Sequence, residues 1–285
     1  MPQVLNQIEE AHKKVLASVI KTGYIDVDEI IKGLYSGEVA VITGQGGLCE
    51  SFTQNIILNQ VKEKPDCSIL VICPRMTKER YVMSLLSIQS EVLLSSITEA
   101  NPPTDQEDRD KIAMATKALL QSNIQLTNNR TIPIGECFSE FGESYSVSTV
   151  KLIVVDDLES ITFKTEVEPH PKNQLDQNNT LTRAETIAII ISYLNEVARK
   201  FHVPVLTTFD GSLDKLDRDS HDNVIEAYFN WADLVLQLDD EQLGETGLVN
   251  IDVRKCKHGQ IGNTSLYYCD ELACFDSADL GDQQL

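Results

Sequence analysis

Basic residues are scarce in this 285-residue chain: 24 Lys and Arg stand against 44 Asp and Glu, giving a formal net charge of −20. With a pI near 4.5, the chain offers no general field to attract nucleic acid or an anionic membrane, and only a local basic channel stays open. The seven cysteines, Cys49, Cys67, Cys73, Cys137, Cys256, Cys269 and Cys274, include no C-x-x-C pair and no regular spacing. That argues against a zinc site and a disulfide framework; a reducing, intracellular compartment fits, and a cytoplasmic location is expected. No apolar run approaches the roughly 18 residues of a membrane span, and the amino terminus is polar where a signal peptide is apolar. No internal repeat of about 20 to 50 residues appears. The 42% hydrophobic content permits one large α/β domain or two small ones, and whole-chain disorder is not expected.

Short β-branched runs alternate with helical patterns. "VAVIT" (39–43), "ILVIC" (69–73), "KLIVVD" (151–156), "VPVLTT" (203–208) and "DLVLQL" (233–238) are nearly continuous apolar runs, as parallel strands buried on both faces require. Residues 183–201 carry Ile187, Ile190, Leu194, Val197 and Phe201 on one helical face and lead directly into "HVPVLTT". Thr104 and Glu107 have capping-box spacing, which starts a helix near residue 105. "GLVNIDVRKCKHGQIGNTSLYYC" alternates as two antiparallel strands joined around Lys257 to Gly262. The sum is a doubly wound, mostly parallel α/β sheet with antiparallel edge strands. Before it, Val4, Ile8, Ala11, Val15 and Val19 form a narrow apolar stripe on a helix over residues 4–20, which needs either its own domain or a neighbouring subunit to pack on. Residues 164–182 and 210–223 read as long loops at carboxyl ends of strands, where open α/β sheets bind ligands. The acid-rich end of the chain reads as a solvated tail.

Residues 39–57, "VAVITGQGGLCESFTQNII", run from strand through a Gly-rich turn into a helix. The P-loop pattern G-x-x-x-x-G-K-[ST] needs glycines that let amides approach phosphate, a lysine for the β/γ oxygens and a hydroxyl for Mg²⁺. Gly44 and Ser51 match; Cys49 replaces the second glycine and Glu50 the lysine. The other reading is a turn in which Gly44, Gly46 and Gly47 merely supply positive φ angles. Asp156, ending "KLIVVD", has the placement of a Walker B aspartate, or simply begins a loop.

Taken together, "TGYIDVDEIIKGLYSGEVAVI", "RMTKERYVMSLLS", "KLIVVDDLES", "LNEVARKFHVPVL", "WADLVLQL" and "RKCKHGQIGNTSL" resemble, in order and spacing, the RecA-like carboxyl-terminal domain of DnaB-type replicative helicases. The resemblance runs from about residue 4 to residue 276. It implies a linker-type docking helix (1–20) that packs on the adjacent subunit of a ring, a RecA-like domain (21–276) and an acidic tail (277–285).

The departures from the family fall on the catalytic positions. Glu50 stands where the family has its lysine, Arg75 where it has its water-activating glutamate, and Asp210 at or near its γ-phosphate-sensing glutamine. Lys255 fits the lysine that reaches a neighbour's phosphates, and Lys257 sits where the bridging arginine belongs, without that residue's planar bidentate contact. An ammonium at ~4 Å from a phosphate charge contributes about 4 kcal/mol at an effective dielectric near 20, and a carboxylate there repels by a similar amount. The expectation is therefore a homologue without ATP hydrolysis. Gly44, Gly46, Gly47, Ser51, Lys255 and Lys257 are then remnants of nucleotide binding, with Asp156 and Ser51 remnants of a metal site. ATP and Mg²⁺ are expected only if the loop still functions, and Glu50 and Arg75 are expected to pair in the vacated phosphate site. The expected partners are proteins, among them a replicative helicase or replication factor of a cell or mobile element, with self-association through residues 4–20. Asp210, Asp214, Asp217, Asp219 and Asp222 against Lys215 and Arg218 make the second loop a poor DNA tracker. The alternative is an active ATP-dependent DNA helicase with an unusual phosphate loop.

Overall fold

Parallel strands buried on both faces account for the apolar runs. The computed structural model describes residues 19–45, 47–63, 67–98, 105–128, 150–161, 182–211 and 224–277. Six parallel strands, β1 (Val39–Gly44), β2 (Ser68–Ile72), β3 (Asn123–Thr127), β4 (Val150–Val155), β5 (Val205–Asp210) and β6 (Leu234–Asp239), continue into antiparallel β7 (Leu248–Cys256), β8 (Gly262–Cys269) and β9 (Cys274–Ser277). They form one sheet in the order β3-β2-β4-β5-β1-β6-β7-β8-β9. β1 is central, in parallel register with β5 on one side and β6 on the other.

The helices are α1 (Ile25–Ile31), α2 (Gly47–Glu63), α3 (Lys78–Ser90), α4 (Leu94–Thr98), α5 (Gln106–Gln121), α6 (Arg183–Phe201), α7 (Val224–Trp231) and α8 (Leu243–Thr246). Val27 and Ile31 of α1, Phe52 and Ile56 of α2, and Tyr81 and Leu85 of α3 pack with Ala40 and Ile42 on one face of the sheet. Ile187, Ile190 and Leu194 of α6 and Tyr228 of α7 pack with Val39 and Val41 on the other. The period of two in β1 thus divides its side chains between two cores. The stripe foreseen in residues 183–201 buries Ile187, Ile190, Leu194 and Val197. A Thr182–Glu185 capping box starts that helix, and Arg199 and Lys200 lie in its last turn, where the helix dipole favours cations.

Helix α2 is buried on nearly every side, so its polar residues need internal partners. Asn55 donates to the carbonyls of Ser51 and Ala273, Asn59 to that of Thr22, and Gln60 to that of Lys21.

Three details differ from expectation. Asp105, not Thr104, caps α5, its carboxylate accepting from the Glu107 amide at 3.0 Å; Thr104 lies outside the described residues. β3 and β9 were not anticipated, because "NIQLT" and "CFDS" are short, polar edge strands without an apolar run. Of the apolar stripe before the domain only Val19 falls within the described residues, and the next residue, Ile20, is buried and pairs its backbone with Leu34. Apart from Thr182, Asp210 and Gly211, the two long loops lie outside the described residues, as does 278–285; Ser277 belongs to β9.

Phe52 stacks on Tyr24 at 4.8 Å and meets Phe275 edge-on at 5.4 Å, joining α2 to the entry segment and to β9. Phe52→Ala should lower unfolding free energy by about 3 to 5 kcal/mol, while Leu120→Ala, at an exposed position, should change it by less than about 0.5 kcal/mol. Urea titration of both variants checks the contrast.

Candidate functional site

The carboxyl ends of β1, β2, β4 and β5 open into a cavity of about 470 Å³, lined among others by Glu50, Arg75, Arg80, Asp156, Asp157 and Asp210. Such a position follows from the topology: neighbouring strands send their following helices to opposite faces and leave a crevice at their ends.

The Gly-rich turn meets this crevice at one corner. A Cβ on Gly44 would stand 3.0 Å from both the Cβ and the carbonyl oxygen of Leu238, so close approach of the neighbouring strand favours glycine there. Positive φ is not the reason at Gly44, and a Cβ on Gly47, already in α2, would meet open space. Gly46 lies outside the described residues. Cys49 is buried with its Sγ directed at the Phe209 carbonyl, 3.8 Å away, so the residue replacing the second glycine fills space beneath the turn.

Glu50 stands in the first turn of α2 and lines the cavity. Its carboxylate accepts from Gln54 Nε2 at 3.1 Å, and Gln54 Oε1 in turn accepts from Ser84 Oγ at 2.7 Å. Burial, with Asp156 nearby, pushes the Glu50 carboxyl up to about 7, against the opposing pull of Arg80, the Gln54 hydrogen bond and Arg75. The expected Glu50–Arg75 pair is not formed. Arg75 Nη1 donates to Asp210 at 3.1 Å, and its Nε stands 3.6 Å from Asp157. The physical reason is reach: the ends of β4 and β5 bring two carboxylates to the β2–α3 turn, while Glu50 is held by Gln54 one helical turn along α2.

Asp156 directly follows β4, at the strand end that the sequence indicates. Its Oδ1 accepts from Thr208 Oγ1 at 2.8 Å, and the same hydroxyl accepts from the Asp157 amide at 2.6 Å. Burial raises the Asp156 carboxyl to about 6, the Thr208 hydrogen bond opposing. Asp157 takes φ 67°, a left-handed value costly outside glycine, and is held there by Ser160 and by the Glu159 amide.

Not all expected site residues converge. The Ser51 hydroxyl lies 3.2 Å from the Tyr268 hydroxyl of β8, and Ser51 does not line the cavity. Lys255 and Lys257 lie toward the opposite edge of the sheet, since Lys255 pairs with Val235 near the start of β6. Lys255 Nζ donates to the carbonyls of Phe229 and Ala232. Lys257 Nζ bonds Glu38 at 2.6 Å and Asp233 at 3.2 Å. Within one chain neither lysine belongs to the cavity.

Sequence reasoning missed Asp157, Thr208 and Arg80. The doubled acid in "VVDDL" and the hydroxyl pair in "LTTFD" were available signals. Arg80 was hidden in a charged stretch and is placed by Thr77, which caps α3 by accepting from the Arg80 amide.

The strand order and the crevice at the strand ends define a RecA-like α/β domain. Residues 19–277 match the DnaB-like helicase C terminal domain, and the chain belongs to that family. It is 25% identical to a probable replicative DNA helicase of Trieres chinensis over 93% of this chain and 59% of the relative. It is 22% identical to the replicative DNA helicase DnaB of Mycoplasma genitalium over 72% of this chain and 42% of that protein. The chain thus spans about half the length of these relatives. Among solved structures, an isolated ATPase domain superposes with a TM-score of 0.77 at 17% identity, over 97% of this chain and 98% of that one. A DnaB-like replicative helicase studied with primase gives 0.74 at 17%, over 90% and 63%. No helix among the described residues is long and apolar enough to cross a membrane.

Because Glu50 holds its proton to about 7 against an ordinary 4.5, and Asp156 to about 6 against 3.8, the folded state binds more protons than the unfolded chain in those windows. Stability attributable to these groups therefore falls as pH rises from about 4 to about 7. Glu50→Gln should stabilise the protein at pH about 8 by on the order of 1 to 3 kcal/mol and by less at pH about 5.5. Urea midpoints at the two pH values give the measurement.

Proposed function

We propose that this domain is a DnaB-type helicase homologue that does not hydrolyse ATP and acts through protein contacts in DNA replication of a cell or mobile element. The observation that carries the reading is the bridge of Arg75 to Asp210 and Asp157 across a cavity into which Glu50 presents a carboxyl group. A triphosphate placed there would meet Glu50 at the turn and compete with two aspartates for the arginine. Four carboxyl groups against two guanidinium groups leave the lining acidic where they are ionised, and those carboxylates oppose nucleotide entry by Coulomb repulsion.

The two residues that would hold Mg²⁺ with ATP do not converge: Ser51 points to Tyr268 of β8 and does not line the cavity that Asp156 lines. The position that the family resemblance gives to a carboxylate base at the β2 end holds the Arg75 cation instead, which cannot take a proton from water. Glu50 stands in the first turn of α2 with its carboxyl group bonded to Gln54, so the residue in the place of the phosphate-binding lysine offers a phosphate no cation.

One observation favours an active enzyme with an unusual loop: Arg75 and Arg80 both line the cavity and could face phosphate from the α3 side. Turnover separates the readings. DNA-stimulated ATP hydrolysis by the unaltered protein should not exceed that of Asp156→Ala; a clear excess assigns it to the active class.

Self-association through residues 4–20, contact with a replicative helicase or replication factor, and weak DNA binding belong to the same proposal. Since Ile20 is part of the core, truncation should stop at residue 18. Light scattering of that truncation, alone and mixed with a replicative helicase, should show a multimer shifted toward monomer with the folded domain retained. A strict monomer in the untruncated protein under both conditions would refute the assembly reading.

A further inference from the structure

The closing hairpin of the sheet carries two cysteines in a relation that spacing alone did not reveal. Cys269 ends β8 and Cys274 begins β9, and the two are direct cross-strand partners in antiparallel register, separated along the chain by the turn Asp270–Ala273. Residues directly opposed in an antiparallel pair have Cα atoms about 4.5 to 5.5 Å apart, within the about 4.4 to 6.8 Å that a disulfide spans. Both thiols are free; Cys269 is exposed and Cys274 partly covered. Cys49, Cys67 and Cys73 are buried, and no other two cysteines are strand partners among the described residues.

We propose that Cys269 and Cys274 form a reversible intramolecular disulfide, a redox modification site at the turn that seats helix α2. The oxidant is a low-molecular-weight disulfide such as glutathione disulfide. The Cys269 thiolate, open to solvent, attacks one of its sulfurs and displaces a glutathione thiolate, which takes a proton from water. Cys274 then gives up its proton, attacks the Cys269 sulfur and expels the second glutathione. Two cysteine thiols are oxidised to one disulfide, and one glutathione disulfide is reduced to two thiols. Burial and the neighbouring Cys269 push the Cys274 thiol up to about 11, which suits it to resolve the mixed disulfide held against it better than to meet the oxidant first. Exposed short-loop bridges belong to the labile, regulatory class.

The site matters because of what the hairpin holds. The Ala273 carbonyl, inside the bridged turn, accepts from Asn55 of α2 at 3.1 Å. Tyr268, next to Cys269, meets Ser51 of the same helix, and Phe275, next to Cys274, packs on Phe52. Closing the bridge fixes the turn on which three successive contacts to the first half of α2 depend.

No Lys or Arg occurs after Lys257, so trypsin releases residues 258–285 as one peptide containing both cysteines. After equilibration of the full chain with oxidised glutathione and alkylation under denaturing conditions, uptake should fall from seven alkyl groups to five, with peptide 258–285 lighter by two hydrogens. Cys274→Ser should instead trap Cys269 as a glutathione adduct. Amide exchange at residues 51–55 should be slower in the bridged form. Full alkylation of both cysteines in the oxidising buffer, cross-linking of this peptide to another, or an unmodified Cys269 in the Cys274→Ser variant would overturn the site. Equal exchange rates in the two forms would overturn its coupling to α2.

Discussion

Charge balance at the carboxyl edge of the parallel sheet is the constraint on which the arrangement of this domain turns. Strand ends β4 and β5 and the first turn of α2 deliver Asp156, Asp157, Asp210 and Glu50 into one crevice, and four carboxylates cannot all remain ionised in a partly dry space without compensation. Arg75 supplies part of it by spanning Asp157 and Asp210, while Glu50 and Asp156 answer by holding their protons to higher pH. Arg75 is itself 53% exposed, so each bridge contributes under about 1 kcal/mol to stability. Its consequence lies in position: one side chain ties together the ends of β2, β4 and β5.

The same inward turn recurs at other positions that the family resemblance directs outward. Ser51 meets Tyr268, Lys255 reaches two carbonyls at the end of α7, and Lys257 is held between Glu38 and Asp233. His258 stacks on Tyr35 at 3.9 Å and bonds the same Glu38. Each contact is local and modest, but all of them direct polar side chains toward their own chain. Lys257 has its charge already balanced by two carboxylates of its own chain.

How much of this was readable beforehand follows from how each feature is encoded. Runs such as "VAVIT" and "KLIVVD" reveal their strands because burial on both faces demands continuous apolar sequence, and α6 reveals itself through one long stripe. β3 and β9 escape because an edge strand with a solvated face carries no such signal. The identities of the site residues Glu50, Asp156 and Asp210 were legible, but their pairing was not. Whether Arg75 reaches Glu50 or Asp210 is decided by sheet order, since β2 lies beside β4 and only one strand from β5, and by the Gln54–Ser84 chain that holds Glu50. Likewise the cross-strand position of Cys269 and Cys274 follows from hairpin register, which their spacing along the chain does not specify.

The fold can persist with such an acidic cavity because its stability is drawn from elsewhere. Both faces of the sheet are closed by apolar layers, with Ile42, Phe52 and Ile56 on one side and Val41, Ile191 and Leu194 on the other fully buried. Burial of each such side chain stabilises the folded state by about 1.5 to 3 kcal/mol relative to leaving it exposed. One desolvated carboxyl group, at a cost of about 1.4 kcal/mol for each unit by which its pKa rises, is small beside that sum. A crevice that costs its own domain a few kcal/mol at neutral pH takes a sizeable share of a net stability of about 5 to 15 kcal/mol, and it is borne because the two cores are intact. Substitution is then least constrained on the outer faces of the helices and at the exposed turn of the closing hairpin, whose flanking residues Leu266 and Phe275 belong to the first core.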